Sequence, residues 1–208
     1  MDRLWSEGWR HFGALFYRYQ QAMHGGALMD VRPLRVLLES WTASKSQRRV
    51  LRRNADLEVR VRPTQLDDER RALFQRHKQR FVDNVPESLE DFLGVDPSMG
   101  PCLNVEVGIF LRKQLVAASY MDVGKAAVSS IYGFFDPDHA ARRLGILTML
   151  VEMDWARSRG CQFYYPGYAY RQPSHYDYKK QFHAMEEFDW TAWQPRPRLV
   201  EGAAEDGQ

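Results

Sequence analysis

The stretch from 104 to 137, NVEVGIFLRKQLVAASYMDVGKAAVSSIYGFFDP, decides the fold. Three runs rich in apolar, β-branched and aromatic residues (104–111, 115–123 and 126–135) are separated by polar breaks at Arg112 and Lys113 and at Gly124 and Lys125. That spacing predicts an antiparallel meander. Directly after it, 139–159 carries Leu144, Ile146, Leu147, Met149, Leu150, Val151, Met153 and Trp155 on most sides and stops at Gly160. Such a segment predicts a helix buried against the sheet and ended by a C-terminal glycine. A further strand over 161–165 and a short helix over 175–182 follow.

Working outward, 30–38 reads as an irregular entry into a short strand, 46–54 as a helix, and 58–62 (EVRVR) as a strand closed by Pro63. The charged segment 67–81 reads as a surface helix opening on Asp67 or Asp68. Strands, long helix, strand and helix in this order predict an α+β fold of the N-acetyltransferase (GNAT) type, a mixed, mainly antiparallel sheet flanked by helices. A basic portion 1–65 is expected to pack on an acetyltransferase-like domain 66–193, with 194–208 a disordered tail.

With 208 residues, 44% hydrophobic and 13% aromatic, the chain can build a sizeable core. No apolar run approaches the roughly 18 residues that span a bilayer, and the N-terminus lacks a signal pattern, so no membrane partner and a cytoplasmic location are expected. Cys102 and Cys161 stand alone without His/Cys clustering, and no metal site is expected. The net charge of +2 is unevenly spread, since residues 1–63 hold 12 Lys/Arg against 6 Asp/Glu. A local positive field suits a polyanion docking on one face.

Three constellations carry chemistry. Lys45, Arg48, Arg49, Arg52 and Arg53 place five cations in nine residues, on a helix where like charges at i,i+4 repel. They read as a contact for a phosphate backbone or, more plainly, as a solvated face. Asp136 and Pro137 lead into Arg142 and Arg143 at a helix start, where anions bind, although an Asp before Pro is also a common turn or cap residue. Finally Tyr165, Tyr168, Tyr170, Tyr176 and Tyr178 alternate with His175, Lys179 and Lys180. They offer stacking faces for unpaired bases together with charge for phosphates, or else form an amphipathic aromatic core.

Gly8-Trp9-Arg10-His11-Phe12-Gly13, Pro33-Leu34-Arg35, SKSQRRVLRRNADL from Ser44 to Leu57, Phe134 to Pro137, Arg142 or Arg143 to Gly145, Gly167-Tyr168, Tyr178-Lys179, Phe182 and Glu186 occur in one order. Across residues 8–193 the chain thereby resembles the aminoacyl-tRNA–protein transferases of the arginyl and bacterial leucyl type, in their C-terminal catalytic portion. The resemblance implies an enzyme that moves an amino acid from charged tRNA to an amine, by default a protein N-terminus, with Lys45, Arg48, Arg49, Arg52, Arg53, Arg142 and Arg143 on the tRNA. Family members also carry two cysteine sets described as a metal-binding, substrate-recognising region. The first has no counterpart in these residues, and the second is replaced by YRYQQAMHGGALMDV, with His24 alone. In the last motif the family's Lys is His175, and its Ser two places earlier is Pro173.

An aminoacyl ester is already activated, so the implied reaction needs no ATP, no covalent intermediate and no cofactor. Positioning, amine deprotonation and oxyanion stabilisation remain. Asp136 or Glu186 would serve as base, Tyr168 or Tyr178 would return a proton to the ribose oxygen, and Lys179 would face the oxyanion or a terminal phosphate. The missing cysteines leave a small molecule or short peptide open as the acceptor. A CoA-dependent N-acetyltransferase is a further alternative, against which Leu147 stands where the CoA loop asks for Gly or Ala. A non-catalytic tRNA-binding relative is the last.

Overall fold

The computed structural model describes residues 1–81 and 85–196. In chain order these form α1 (Asp2–Ser6), β1 (Arg10–Phe12), β2 (Leu15–Tyr17), β3 (Gln21–His24), β4 (Ala27–Leu37), α2 (Lys45–Arg53), β5 (Glu58–Pro63), α3 (Asp68–Lys78) and α4 (Glu90–Leu93). The second half gives β6 (Leu103–Leu111), β7 (Gln114–Val123), β8 (Ala127–Phe135), α5 (Leu144–Ser158), β9 (Phe163–Tyr170), β10 (Met185–Phe188) and β11 (Trp193–Pro195). One sheet runs β11-β10-β4-β9-β8-β7-β6-β5, with β3 paired to β4, while β1 and β2 make a separate hairpin.

The meander is present as the sequence predicts, with β6, β7 and β8 antiparallel. Strands β6 and β7 are buried along nearly their whole length, because helices cover both faces. On one face α5 sets Leu144, Leu147, Leu150 and Met153 against Val107, Ile109, Val116 and Met121. On the other, Leu73 and Phe74 of α3 meet Phe110, Leu115, Tyr120 and Phe134. Each such side chain contributes about 1.5–3 kcal/mol by leaving water. Arg70 of α3, 1% exposed, donates to both carboxylate oxygens of the fully buried Glu106 on β6, so the second face holds a charge pair inside its apolar rim. This is the α+β acetyltransferase-like arrangement, a mostly antiparallel mixed sheet flanked by helices.

Three local readings change. The long helix begins at Leu144 instead of 139, because the Asp136 carboxylate accepts from the Asp138 N–H and starts a short 3-10 turn, Pro137–Arg142. Arg143 at φ +57° then separates that turn from α5. The strand expected over 161–165 extends to Tyr170, and the short one expected over 30–38 is β4, eleven residues long. The segment 175–182 forms a 3-10 helix, His175–Gln181.

The boundary expected at 65 falls just after β5. Strand β4, from the same N-terminal portion, nevertheless lies inside the sheet, bonded to β9 on one side and β10 on the other. Strand pairing therefore joins the two portions. Of the expected tail, Gln194 and Pro195 pair with β10 as part of β11, and 197–208 lie outside the described residues. Among the described residues, no helix is long and apolar enough to cross a membrane.

Candidate active site where two parallel strands separate

Strands β8 and β9 are the only parallel neighbours described, and they pair for three residues only, 127–129 against 163–165. The sequence explains the stop. Pro166 brings no N–H to the ladder, and Gly167 at φ +98° turns the backbone out of strand geometry. Beyond Ser129 and Tyr165 the strands separate, and Arg10 of β1 occupies the apex. Its guanidinium donates to Ser129 Oγ at 2.5 Å, to the Tyr165 carbonyl at 3.4 Å and to the Ser130 carbonyl.

A pocket of about 130 Å³ opens in front of this apex. Arg10 and Lys179 supply its charge, and Tyr17, Tyr19, Tyr168 and Tyr176 its aromatic walls. The Tyr168 ring stands edge-on to those of Tyr17 and Tyr19, with centroids 6.0 and 5.3 Å away, and its hydroxyl donates to the Gly8 carbonyl at 2.5 Å. Lys179 Nζ lies 4.9 Å from the Tyr176 ring centre and 3.3 Å from the Tyr168 carbonyl. A Cβ added at Gly167 would stand 3.4 Å from that Nζ and 3.7 Å from the Arg10 guanidinium, so a side chain there would intrude between the two cations.

The electrostatics follow from this enclosure. Burial, assisted by the neighbouring Arg10 charge, lowers the Lys179 amine to about 7. A substantial fraction is thus a neutral base at physiological pH. Burial pushes Tyr19 up to about 12 and raises Tyr17 and Tyr168, so these phenols stay neutral hydrogen-bonding groups. Behind the sheet, Glu152 of α5 is fully buried, accepts from Tyr164 Oη at 2.5 Å, and is raised to about 7 by burial.

Of the five side chains singled out for chemistry, the structure brings Tyr168 and Lys179 together in the pocket. Asp136, 2% exposed, caps the 3-10 turn and accepts from Arg76 at 2.6 Å. Glu186 of β10 is held at 2.6 Å by Arg35, whose guanidinium also lies over the rings of Phe163 and Trp193. Tyr178 sits partly exposed on the 3-10 helix. None of these three lines the pocket. Arg10, Tyr17 and Tyr19 were not singled out, because nothing in their local sequence says that the β1–β2 hairpin folds back over β9.

The basic residues gather elsewhere. Ser44 and Gln47 form a reciprocal capping box that starts α2, and Lys45, Arg48, Arg49, Arg52 and Arg53 all lie on its exposed surface. Asn54 donates to the Arg142 carbonyl at 2.9 Å and so fastens the end of α2 to the start of α5, beside the exposed Arg143. Arg142 itself is committed to Asp56 through two contacts of 2.8 and 2.9 Å. Gln47 Nε2 reaches the Gln181 carbonyl at 3.4 Å, which links the basic helix to the turn that carries Lys179. The His24 ring packs at a tilt against those of Tyr170 and His175, and the segment 17–31 contains no cysteine. That segment does not fit the metal region of the transferases.

The chain thus combines an acetyltransferase-like fold with a basic, aromatic pocket where two parallel strands separate. Residues 11–189 match the family described as arginine-tRNA-protein transferase, C terminus. The chain is 35% identical over 196 residues to an aspartate/glutamate leucyltransferase of Stenotrophomonas maltophilia (strain K279a), covering 90% of this chain and 76% of that protein. A protein of the same name from Xylella fastidiosa (strain M23) is 32% identical over 201 residues, with the same coverage. The chain belongs to the arginine-tRNA-protein transferase family and is an aminoacyl-tRNA-dependent aminoacyltransferase.

Two solved structures share its fold. FemX aligns with a TM-score of 0.53 at 10% identity, over 84% of this chain and 60% of that one. The C-terminal domain of a putative lysylphosphatidylglycerol synthetase from Agrobacterium fabrum aligns with a TM-score of 0.51 at 16% identity, over 67% of this chain and 46% of that one.

Proposed function

We propose that this chain transfers leucine from its tRNA to the α-amine of a protein whose first residue is aspartate or glutamate. The donor and acceptor classes follow the names of its relatives. The chemistry rests on one observation, the Lys179 amine enclosed with Arg10 in an aromatic pocket, a setting that lowers it to about 7. The acceptor's nitrogen attacks the ester carbonyl carbon, the new C–N bond forms, and the carbonyl electrons move onto oxygen. Neutral Lys179 takes the proton released from the nitrogen. As the oxyanion collapses the C–O bond to ribose breaks, and the proton on Lys179 passes to the departing ribose oxygen.

Arg10 supplies fixed positive charge for the oxyanion and for an acidic first residue, without reorganising during the step. The tyrosines exclude water and offer stacking faces for the terminal adenosine. The exposed face of α2, with Arg143, meets the tRNA phosphates. A small-molecule amine in place of the protein is the competing acceptor, favoured by the absence of cysteine from 17–31.

The test uses leucyl-tRNA labelled in the amino acid and peptides that begin with Asp, Glu or Ala. Transfer to the first two at least tenfold faster than to the third is expected. Equal rates on all three, or transfer only to small free amines, would remove the proposed acceptor.

A further inference from the structure

His11, Cys102 and Asp122 are far apart in sequence, yet the fold gathers one ligand atom from each within 4.8 Å of the others. His11 lies on β1 and Asp122 on β7, both buried, and Cys102 is half-buried just before β6. His11 Nδ1 is 2.9 Å from the Gly13 carbonyl. A carbonyl only accepts, so Nδ1 carries a hydrogen, and Nε2 is the ring nitrogen turned toward Asp122. That nitrogen has no hydrogen-bond partner of sound geometry, although Asp122 Oδ2 stands 2.6 Å away. Atoms in such contact need a positive centre between them, a proton or a metal ion.

The surroundings are those of metal ligands. A ligating histidine ordinarily donates its other N–H to a carbonyl, and a ligating carboxylate is itself held by a donor. Here Gly13 plays the first part. Asn104 Nδ2 plays the second, donating to Asp122 Oδ1 at 2.9 Å, and Asn104 is in turn fixed by the Thr64 hydroxyl. A cavity of about 10 Å³ bounded by His11, Asn104 and Asp122 has room for a single water.

We propose that His11 Nε2, Cys102 Sγ and one Asp122 oxygen bind a zinc ion, with water as the fourth ligand. One imidazole, one thiolate and one carboxylate suit zinc's borderline softness. Tetrahedral zinc at about 2.0–2.3 Å from its donors keeps them roughly 3.3–3.6 Å apart, so the His11–Asp122 contact opens by about 0.7 Å, within side-chain rotation. The thiol gives up its proton to the solvent as the sulfur–metal bond forms. The ion ties β1 to β6 and β7, and so fixes Arg10, the residue next to His11, at the apex of the pocket. Its role is structural.

Chelator-stripped full-length protein is titrated with cobalt(II), which reports a bound thiolate by a charge-transfer band, and then with zinc. One equivalent of cobalt, displaced by zinc, is expected. Cys102→Ser loses the band with Cys161 still present, and Asn104→Ala weakens zinc by about 10- to 100-fold. Circular dichroism confirms that both variants fold. Absence of stoichiometric binding, or a band unchanged in Cys102→Ser, overturns the site and leaves His11 and Asp122 as a proton-bridged ion pair.

Discussion

At the scale of single residues the proposed chemistry depends on Lys179 being uncharged part of the time. Its amine lies near about 7, because burial and then Arg10 both disfavour the ammonium form. Only the neutral form accepts a proton, so the single-turnover rate of transfer should show a rising limb as pH passes through 7. The acceptor's own α-amine, with a pKa of about 8, adds a second limb. Lys179→Met is expected to slow transfer by about 10²–10⁴-fold and to erase the limb near 7 while keeping the one near 8. Should the variant keep both limbs and its rate, Lys179 is not the base. Lys179 and Tyr168 were legible from the crowding of aromatic and basic residues after Gly167. Arg10 was not, since its partners Ser129, Ser130 and Tyr165 lie more than a hundred residues away and a motif beginning Gly-Trp gives no hint of them.

At the scale of elements, α2 is the proposed tRNA contact. Its capping box and the Asn54 bond to α5 fix the helix, so its arginines enter from a preformed surface. Reversing Arg48, Arg49, Arg52 and Arg53 to Glu should abolish measurable tRNA binding at physiological salt, with helix content unchanged. For a partial set, each lost phosphate contact should flatten the slope of log affinity against log salt by about 0.7–0.9. Filter binding across a salt series measures it, and an unchanged slope would make α2 a solvated face. Arg142 serves as a control, because its guanidinium is occupied by Asp56. Helix α2 could be read from its run of charges after a polar break, whereas the 3-10 turn ahead of α5 could not. There the Asp136 cap and the left-handed Arg143 override a continuous helical pattern.

At the scale of the whole molecule, the meander and α5 were legible because their apolar periodicity is strong and their connections are short. The placement of β4 between β9 and β10 was not, since no local signal specifies which distant strands it pairs with. Glu152 was equally hidden, the buried one of two acids in a largely apolar helix, and it has a global consequence. Burial raises it from 4.5 to about 7, so the folded state holds its proton where the unfolded chain has released it. Its contribution to stability is complete below about 4.5 and is lost as pH rises through 7. The full change corresponds to about 3 kcal/mol, as an order of magnitude. Glu106 is also raised to about 7, and His77, lowered to about 4 by burial, acts with the opposite sign below its ordinary value. The difference between two proteins therefore isolates Glu152 better than either curve alone. Glu152→Gln, shaped like the protonated acid, keeps an acceptor for the Tyr164 hydroxyl. Its unfolding free energy is expected to match the parent near pH 4 and to exceed it increasingly up to pH 8, approaching the amount above. Urea titrations at four or five pH values measure this gap, and a gap that stays constant with pH would show that Glu152 is ionised throughout.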